Sequence, residues 1–207
     1  MATPMTAFLA LKPEWMPGQY ATLGELEGVD DNVLYALRRD PGAKLELGTR
    51  ARFSRSKKAY QFGPSGKKTP AGKQPVDLFD CGQPGCLVAS PRLAAALTAA
   101  DGSLQSARVK LVDVDGMDHA FVITAPFVDA LDLRASGAKL MKARGLPDEL
   151  ERAKKLVIDA ARVPRARSVF RVPLIDSMWF IRASVKDDLA GFVGLAFEDP
   201  AKTSFGG

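Results

Sequence analysis

The sequence predicts an α+β fold, a mostly antiparallel sheet packed against short serine-capped helices. Three observations point there. Residues Met178 to Glu198, MWFIRASVKDDLAGFVGLAFE, read as strand, capped helix and strand. A second strand followed by a serine and a helical pattern begins near Cys86. Two apolar runs, Ala107 to Val114 and Asp118 to Thr124, flank Asp115-Gly116, a pair suited to a two-residue hairpin turn.

Taken in order, Phe8 to Leu11 is a candidate first strand, followed by an irregular stretch carrying Pro13, Trp15, Pro17 and Gly18. Asp30 or Asp31 caps a helix expected over 32–39, with Leu34 and Leu37 inward and Arg38 and Arg39 at the negative end of its dipole. Asp40-Pro41-Gly42 ends it. Cys86-Leu87-Val88 is an apolar strand, and Ser90 is expected to cap a helix whose first position, Pro91, has no N–H to lose. Leu93, Ala96, Leu97 and Ala100 share one face of that helix, and Asp101-Gly102 stops it.

Beyond the hairpin, Pro147 opens an expected short helix with Asp148 and Glu149 at its start and Lys154 and Lys155 at its end. Leu156-Val157-Ile158 and Val169-Phe170-Arg171-Val172 are expected short strands, joined by a connection rich in arginine (Arg162, Arg165, Arg167). Trp179-Phe180-Ile181 is a buried strand. Ser184 is placed as the cap of a second helix carrying Val185 and Leu189 on one face, and Gly191 ends it. From Val193 the apolar alternation Val193, Leu195, Phe197 describes a closing half-buried strand.

At 207 residues, with 46% hydrophobic and 26% charged residues, the chain is long enough for a substantial core and is not disordered throughout. No apolar stretch approaches the length of a membrane span. The run Ala7 to Leu11 is too short for a signal-peptide core, and no Lys or Arg precedes it, so a cytoplasmic location is expected. Cys81 and Cys86 lie in CGQPGC, which is not a Cys-x-x-Cys pair. With His119 the only histidine, zinc would need a carboxylate or a second chain, so two free thiols are expected.

The net charge of +5 is unevenly spread. Between Arg50 and Lys73 there are eight basic residues and no acidic one, leaving the rest of the chain at −3. Gly63, Pro64, Gly66, Pro70 and Gly72 mark most of this segment as loop, with 50–53 as a short edge strand. The arm interleaves cations (Arg50, Arg52, Arg55, Lys57, Lys58, Lys67, Lys68) with aromatics (Phe53, Tyr60, Phe62). Three readings remain open: a solvated loop, a surface for an acidic protein partner, and a stacking platform for single-stranded nucleic acid.

Catalytic chemistry finds little footing. Neither Ser90 nor Ser184 lies in a Gly-x-Ser-x-Gly or Ser-x-x-Lys context, so both are read as caps. His119 shares a strand face with Phe121 and Ile123 and reads as a sheet-edge or core residue rather than a general base. Carboxylates such as Asp113, Asp115, Asp118, Asp129, Asp132, Asp159 and Asp176 form no calcium loop or zinc-protease helix, and phosphate-binding glycine patterns are lacking. No cofactor and no metal is expected.

The segments CLVASPRLAAAL (86–97), FVDALDLRAS (127–136), KLVIDAARVPRARSVFRV (155–172) and WFIRASVKDDLAGFVGLAFED (179–199), with the hairpin between the first two, together resemble a bacterial immunity-protein family, the eleventh immunity class of polymorphic toxin systems. The shared order is an early strand with a serine-capped helix, an Asp-bearing segment like Ala130-Leu-Asp-Leu, an apolar-Phe-Arg strand, a second serine-capped helix and a closing strand containing glycine. The resemblance divides the chain into an N-terminal region 1–85 with the basic arm 50–73, a family domain 86–199 and a tail 200–207. It implies a non-catalytic protein that binds and neutralises a cognate toxin in the producing cell or its kin. In that setting the arm residues named above, Arg50 through Lys68, become the expected partner contacts, with Phe53, Tyr60 and Phe62 as anchors amid the cations. The competing reading is a basic accessory protein that binds nucleic acid, whose signature is affinity falling steeply with salt.

Overall fold

A computed structural model of the chain describes residues 7–14, 19–55, 60–62, 68–70, 74–81, 85–141 and 149–205. In chain order the strands are β1 (Phe8–Pro13), β2 (Gln19–Glu27), β3 (Arg52–Arg55), β4 (Tyr60–Phe62), β5 (Lys68–Pro70), β6 (Gln74–Asp80) and β7 (Leu87–Ala89). There follow β8 (Gln105–Val112), β9 (His119–Thr124), β10 (Lys139–Met141), β11 (Glu149–Arg152), β12 (Val169–Val172), β13 (Ile175–Arg182) and β14 (Leu195–Glu198). Helix α1 (Asp31–Arg39) lies between β2 and β3, and α2 (Pro91–Ala100) between β7 and β8. The fold is α+β and dominated by antiparallel pairing.

Two sheets organise it. The first is a closed barrel in the order β2-β3-β8-β9-β7-β6, antiparallel except at β2·β6 and β3·β8. Alternation sends Val88, Val109, Leu111, Ala120 and Val122 into the barrel core, where they meet Phe53 and Phe79. Leu87, Ala89 and Ile123 point the other way, into a second core beneath α2. Helix α1 adds Leu37 and the irregular segment after it adds Leu45 to the barrel core. Asp30 caps α1, its carboxylate accepting from the Asn32 N–H at 2.8 Å.

The second sheet runs β12-β13-β1-β14, all antiparallel. Both of its faces are covered, which is why Trp179-Phe180-Ile181 is apolar at every position. Leu11, Val169, Trp179, Ile181 and Leu195 face α2 and the barrel. Phe8, Ala10, Phe170, Val172 and Phe180 face a third core built from 130–175, in which Phe170 stacks on Phe180 at 5.7 Å and meets Phe8 edge-on at 5.3 Å.

Helix α2 is the hinge pin between the sheets. Ser90 caps it, its hydroxyl accepting from the Leu93 N–H at 3.3 Å, and Pro91 sits in its first turn. Leu93 and Leu97 are fully buried, as their spacing predicts. The stretch around Ser184 departs from expectation. Two 3-10 turns, Ala183–Val185 and Asp187–Leu189, replace the second helix, and Ser184 lies exposed within the first of them rather than capping it. The seven residues from Ala183 to Leu189 are too few for hydrogen-bonded α-turns to propagate, so packing of Val185 and Leu189 into the second core sets the local geometry.

Other expectations are also corrected. Residues 149–152 are strand β11 paired with β10, not helix, because Leu150 alternates inward against the third core; Pro147 and Asp148 lie outside the described residues. Leu156 is buried, but 156–158 make only an isolated bridge, Leu131 with Ile158. The β8–β9 pairing is as expected, yet its connection spans six residues because Asp113 and Gly116 both adopt positive φ and Val114 folds back into the barrel core. The chain does not part at residue 85. Strands β2, β3 and β6 close the barrel with β7, β8 and β9, and β1 inserts between β13 and β14, so strands from before and after that point share both sheets.

Candidate functional site

The buried ionisable groups come first, since they are where catalysis would ordinarily be sought. Asp77, 5% exposed on β6, accepts from the Ser90 hydroxyl at 2.6 Å, from Arg92 Nε at 2.7 Å and Nη2, and from the Val193 N–H at 2.9 Å. Burial would raise its pKa, but Arg92, Ser90 and Val193 outweigh that and hold the carboxyl below its ordinary value. At the other end of α2, Asp101 accepts from the Ser103 N–H and hydroxyl, from Arg167 Nη1 at 3.2 Å, and from the N–H groups of Ser168 (2.7 Å) and Val169 (3.0 Å). Its carboxyl too is held low, against burial, by the Ser103, Val169 and Ser168 donors. Both carboxylates are therefore fastenings. Asp77 ties β6 to α2 and the loop before β14, and Asp101 ties α2 to β12.

Arg171 is 3% exposed, donates from Nε to the Ala125 carbonyl at 2.9 Å and lies 4.1 Å over the Phe127 ring. Cys81 and Cys86 are buried thiols not joined in a disulfide. The Cys81 thiol beside it, and burial, push the Cys86 thiol well above its ordinary value, with Arg171 pulling the other way. At neutral pH Cys86 is a protonated thiol and a poor nucleophile. Among the described residues no three His, Cys, Asp or Glu side chains are grouped as a metal site.

A row of exposed charged residues crosses the outer face of the barrel. Strand register places Glu27 beside Arg52, Arg52 beside Lys110, and Lys110 beside His119, so one transverse row crosses β2, β3, β8 and β9. Arg108 stands one rung along, opposite Phe121. Phe53, Val109, Leu111 and Ala120 alternate inward, which obliges these neighbours to face out. Glu27 takes Arg52 Nε and Nη2, each at 2.7 Å, and Asp118 takes His119 Nδ1 at 2.5 Å. His119, with Arg108 contributing, holds the Asp118 carboxyl below its ordinary value. Lys110 stands between two basic residues with no acid opposite it. Arg52 and Lys110 are like charges directly opposed across strands, a pairing that is locally unfavourable.

Two grooves flank the chain at 47–52. One, of about 400 Å³, is lined by Glu27, Gly28, Arg50, Arg52 and Lys110; the other, of about 490 Å³, by Leu47, Arg108, Lys110, Asp118 and His119. Thr49 and Ala51 border both and form the ridge between them. The ridge is held from below. Gln105 donates to the Ala43 carbonyl at 3.2 Å and accepts from the Leu45 N–H at 2.8 Å, while Ala51 N–H closes a turn on Gly48. Gly28, at φ 75°, lets β2 end tightly against it; a Cβ there would come within 2.5 Å of the Arg50 carbonyl oxygen.

Of the expected partner contacts, the structure brings Arg50 and Arg52 to this surface. Phe53 is a correction. It is 0% exposed and packs in the barrel core, because β3 is an interior barrel strand between β2 and β8 rather than an edge, and its alternation turns Phe53 inward. Arg55 ends β3, Tyr60 and Phe62 lie on β4, and Lys68 on β5, which pairs with β4; so the arm includes regular structure where loop was expected. Lys57, Lys58 and Lys67 lie outside the described residues. Arg108, Lys110 and His119 were not anticipated as a group. Their alternation with Ala107, Val109 and Leu111 marks an exposed face of the hairpin, but the parallel pairing that sets Lys110 beside Arg52 has no local signature. The arginines of 162–167 are largely occupied: Arg167 holds Asp101, and Arg162 pairs with Asp159 at 3.3 Å.

No known protein-family model matches the chain, and no curated protein matches it either. Among the described residues no helix is long and apolar enough to cross a membrane.

Proposed function

We propose that this chain is an immunity protein, which binds a cognate polymorphic or contact-delivered bacterial toxin in the cytoplasm of the cell that makes it and neutralises it by direct contact, with no reaction required. The observation that carries the reading is the cationic row on the outer barrel face, where Lys110 and Arg108 face out beside Arg52 and His119. Such a face complements an acidic protein surface and speeds encounter with it. The resemblance of 86–199 to the immunity family adds the kind of partner. The assignment of buried Asp77, Asp101 and Arg171 to the framework fits a protein whose work is done at its surface.

The test is co-expression with the product of the adjacent gene, scoring growth rescue and co-purification at moderate salt. Rescue with a stoichiometric complex supports immunity by direct binding. Absence of both, with binding to single-stranded nucleic acid that weakens steeply as salt rises, would replace this reading by the nucleic-acid one.

A further inference from the structure

The two grooves are not equivalent in charge. On the Arg50 side, the guanidinium of Arg52 is already engaged twice by Glu27, at 2.7 Å from each of two nitrogens. On the His119 side, Asp118, the one acid among the described lining residues, is held chiefly by the adjacent imidazole at 2.5 Å with Arg108 contributing from farther off, and neither Arg108 nor Lys110 makes a salt bridge among the described residues. An incoming anion on the first side meets Arg50 and Lys110 beside a Glu27 committed to Arg52, with no lining apolar side chain larger than Ala51 among the described residues to pack against. On the second side it meets cations already oriented by a barrel strand.

The second groove also offers an apolar wall, Leu47 and Ala51 with Gly48 and Thr49 between, on which the methylenes of a side chain can pack; among its described lining residues only His119 and Arg108 have planes that could stack on a base. About 490 Å³ accommodates a few side chains of a projecting loop. Its ridge is preorganised by Gln105 and by the Gly48–Ala51 turn, so little ordering is needed on binding.

We infer that the groove between Arg108, Lys110 and His119 is the anchor for an acidic protein segment, taking an Asp or Glu carboxylate on Lys110 and Arg108 with its methylenes against Leu47, while Arg52 is a bystander. This rests on the reading of the chain as a protein-binding protein. It names the chemistry of the partner, a carboxylate-bearing loop, and the strand, β8, that receives it.

The experiment uses the full chain and a fluorescent Asp/Glu-rich peptide, followed by anisotropy, with labelled oligo(dT) run in parallel. Lys110→Glu is expected to weaken peptide binding by about tenfold or more and Arg108→Glu comparably, whereas Arg52→Ala changes it less than about threefold. Circular dichroism and melting curves on each variant separate loss of binding from loss of fold. Equal losses for Arg52→Ala and Lys110→Glu, a peptide that ignores Lys110 or does not bind, or preference for oligo(dT) would overturn the anchor. Peptide binding that depends on Lys110 in a protein that gives no rescue with the neighbouring gene's product would leave the anchor standing and sink the immunity reading.

Discussion

At the two ends of α2 each oxygen of Asp77 and Asp101 accepts from at least two donors, whereas across β3, β8 and β9 Lys110 stands beside Arg52 and His119 with no acid facing it. The same side-chain chemistry serves opposite ends. In the first region, charge is buried, saturated and committed to holding the barrel against the second sheet. In the second it is exposed, unbalanced and locally unfavourable. The contrast teaches that the groups with the most donors are the least available to a partner.

The contrast is most severely tested at Phe53, which belongs to the basic arm by sequence and to the barrel core by structure. Phe53→Ala should destabilise the protein by about 3–5 kcal/mol in urea denaturation; an unchanged midpoint would return Phe53 to the surface and dissolve the distinction. Asp101→Ala comes next. It strips the Ser168 and Val169 N–H groups and Arg167 of their acceptor, for an expected loss of roughly 3 kcal/mol by the same measurement.

Acid provides a third probe. Both carboxyls titrate lower in the folded chain than the ordinary value of 3.8, so the unfolded state binds more protons as the pH drops below that value. Their contribution is fully present above 3.8 and is lost as pH falls through the lowered folded values. Denaturation midpoints measured from about pH 6 down to about pH 2.5 should decline mainly at the acid end, and less so in Asp77→Asn. The smallest effect is expected for Lys110→Ala. Stability should stay within about 0.5 kcal/mol of the parent or rise slightly as repulsion along the row is relieved. A large loss there would mean that the row is structural after all.

Much of the fold could be read from local pattern. Ser90 with Pro91, Asp30 before α1, and the alternation through 107–124 and 195–197 are signals that act over a few residues, and the structure honours them. The second serine misled because Ser184 sits after a strand in the same way as Ser90, yet the residues that follow it are too few to make a helix. The candidate surface was half legible. Arg50 and Arg52 stood out as part of an acid-free run, but Lys110, Arg108 and His119 join them only through strand pairings across more than fifty residues of chain, which charge counting does not detect.

The placement of β1 has a consequence for how the chain is made. Phe8 to Leu11 finds its partners at Trp179 to Arg182 and at Phe197 to Glu198, so β1 is made some 170 residues before the strands it pairs with. The barrel likewise cannot close until β8 and β9 have emerged. Folding is therefore dominated by contacts distant in sequence and should be slow for a chain of this size, with the apolar segment 8–11 exposed throughout synthesis. A nascent chain in that state is a natural client for a holding chaperone, and a chain cut short before residue 195 would keep one side of β1 open for pairing with a stranger.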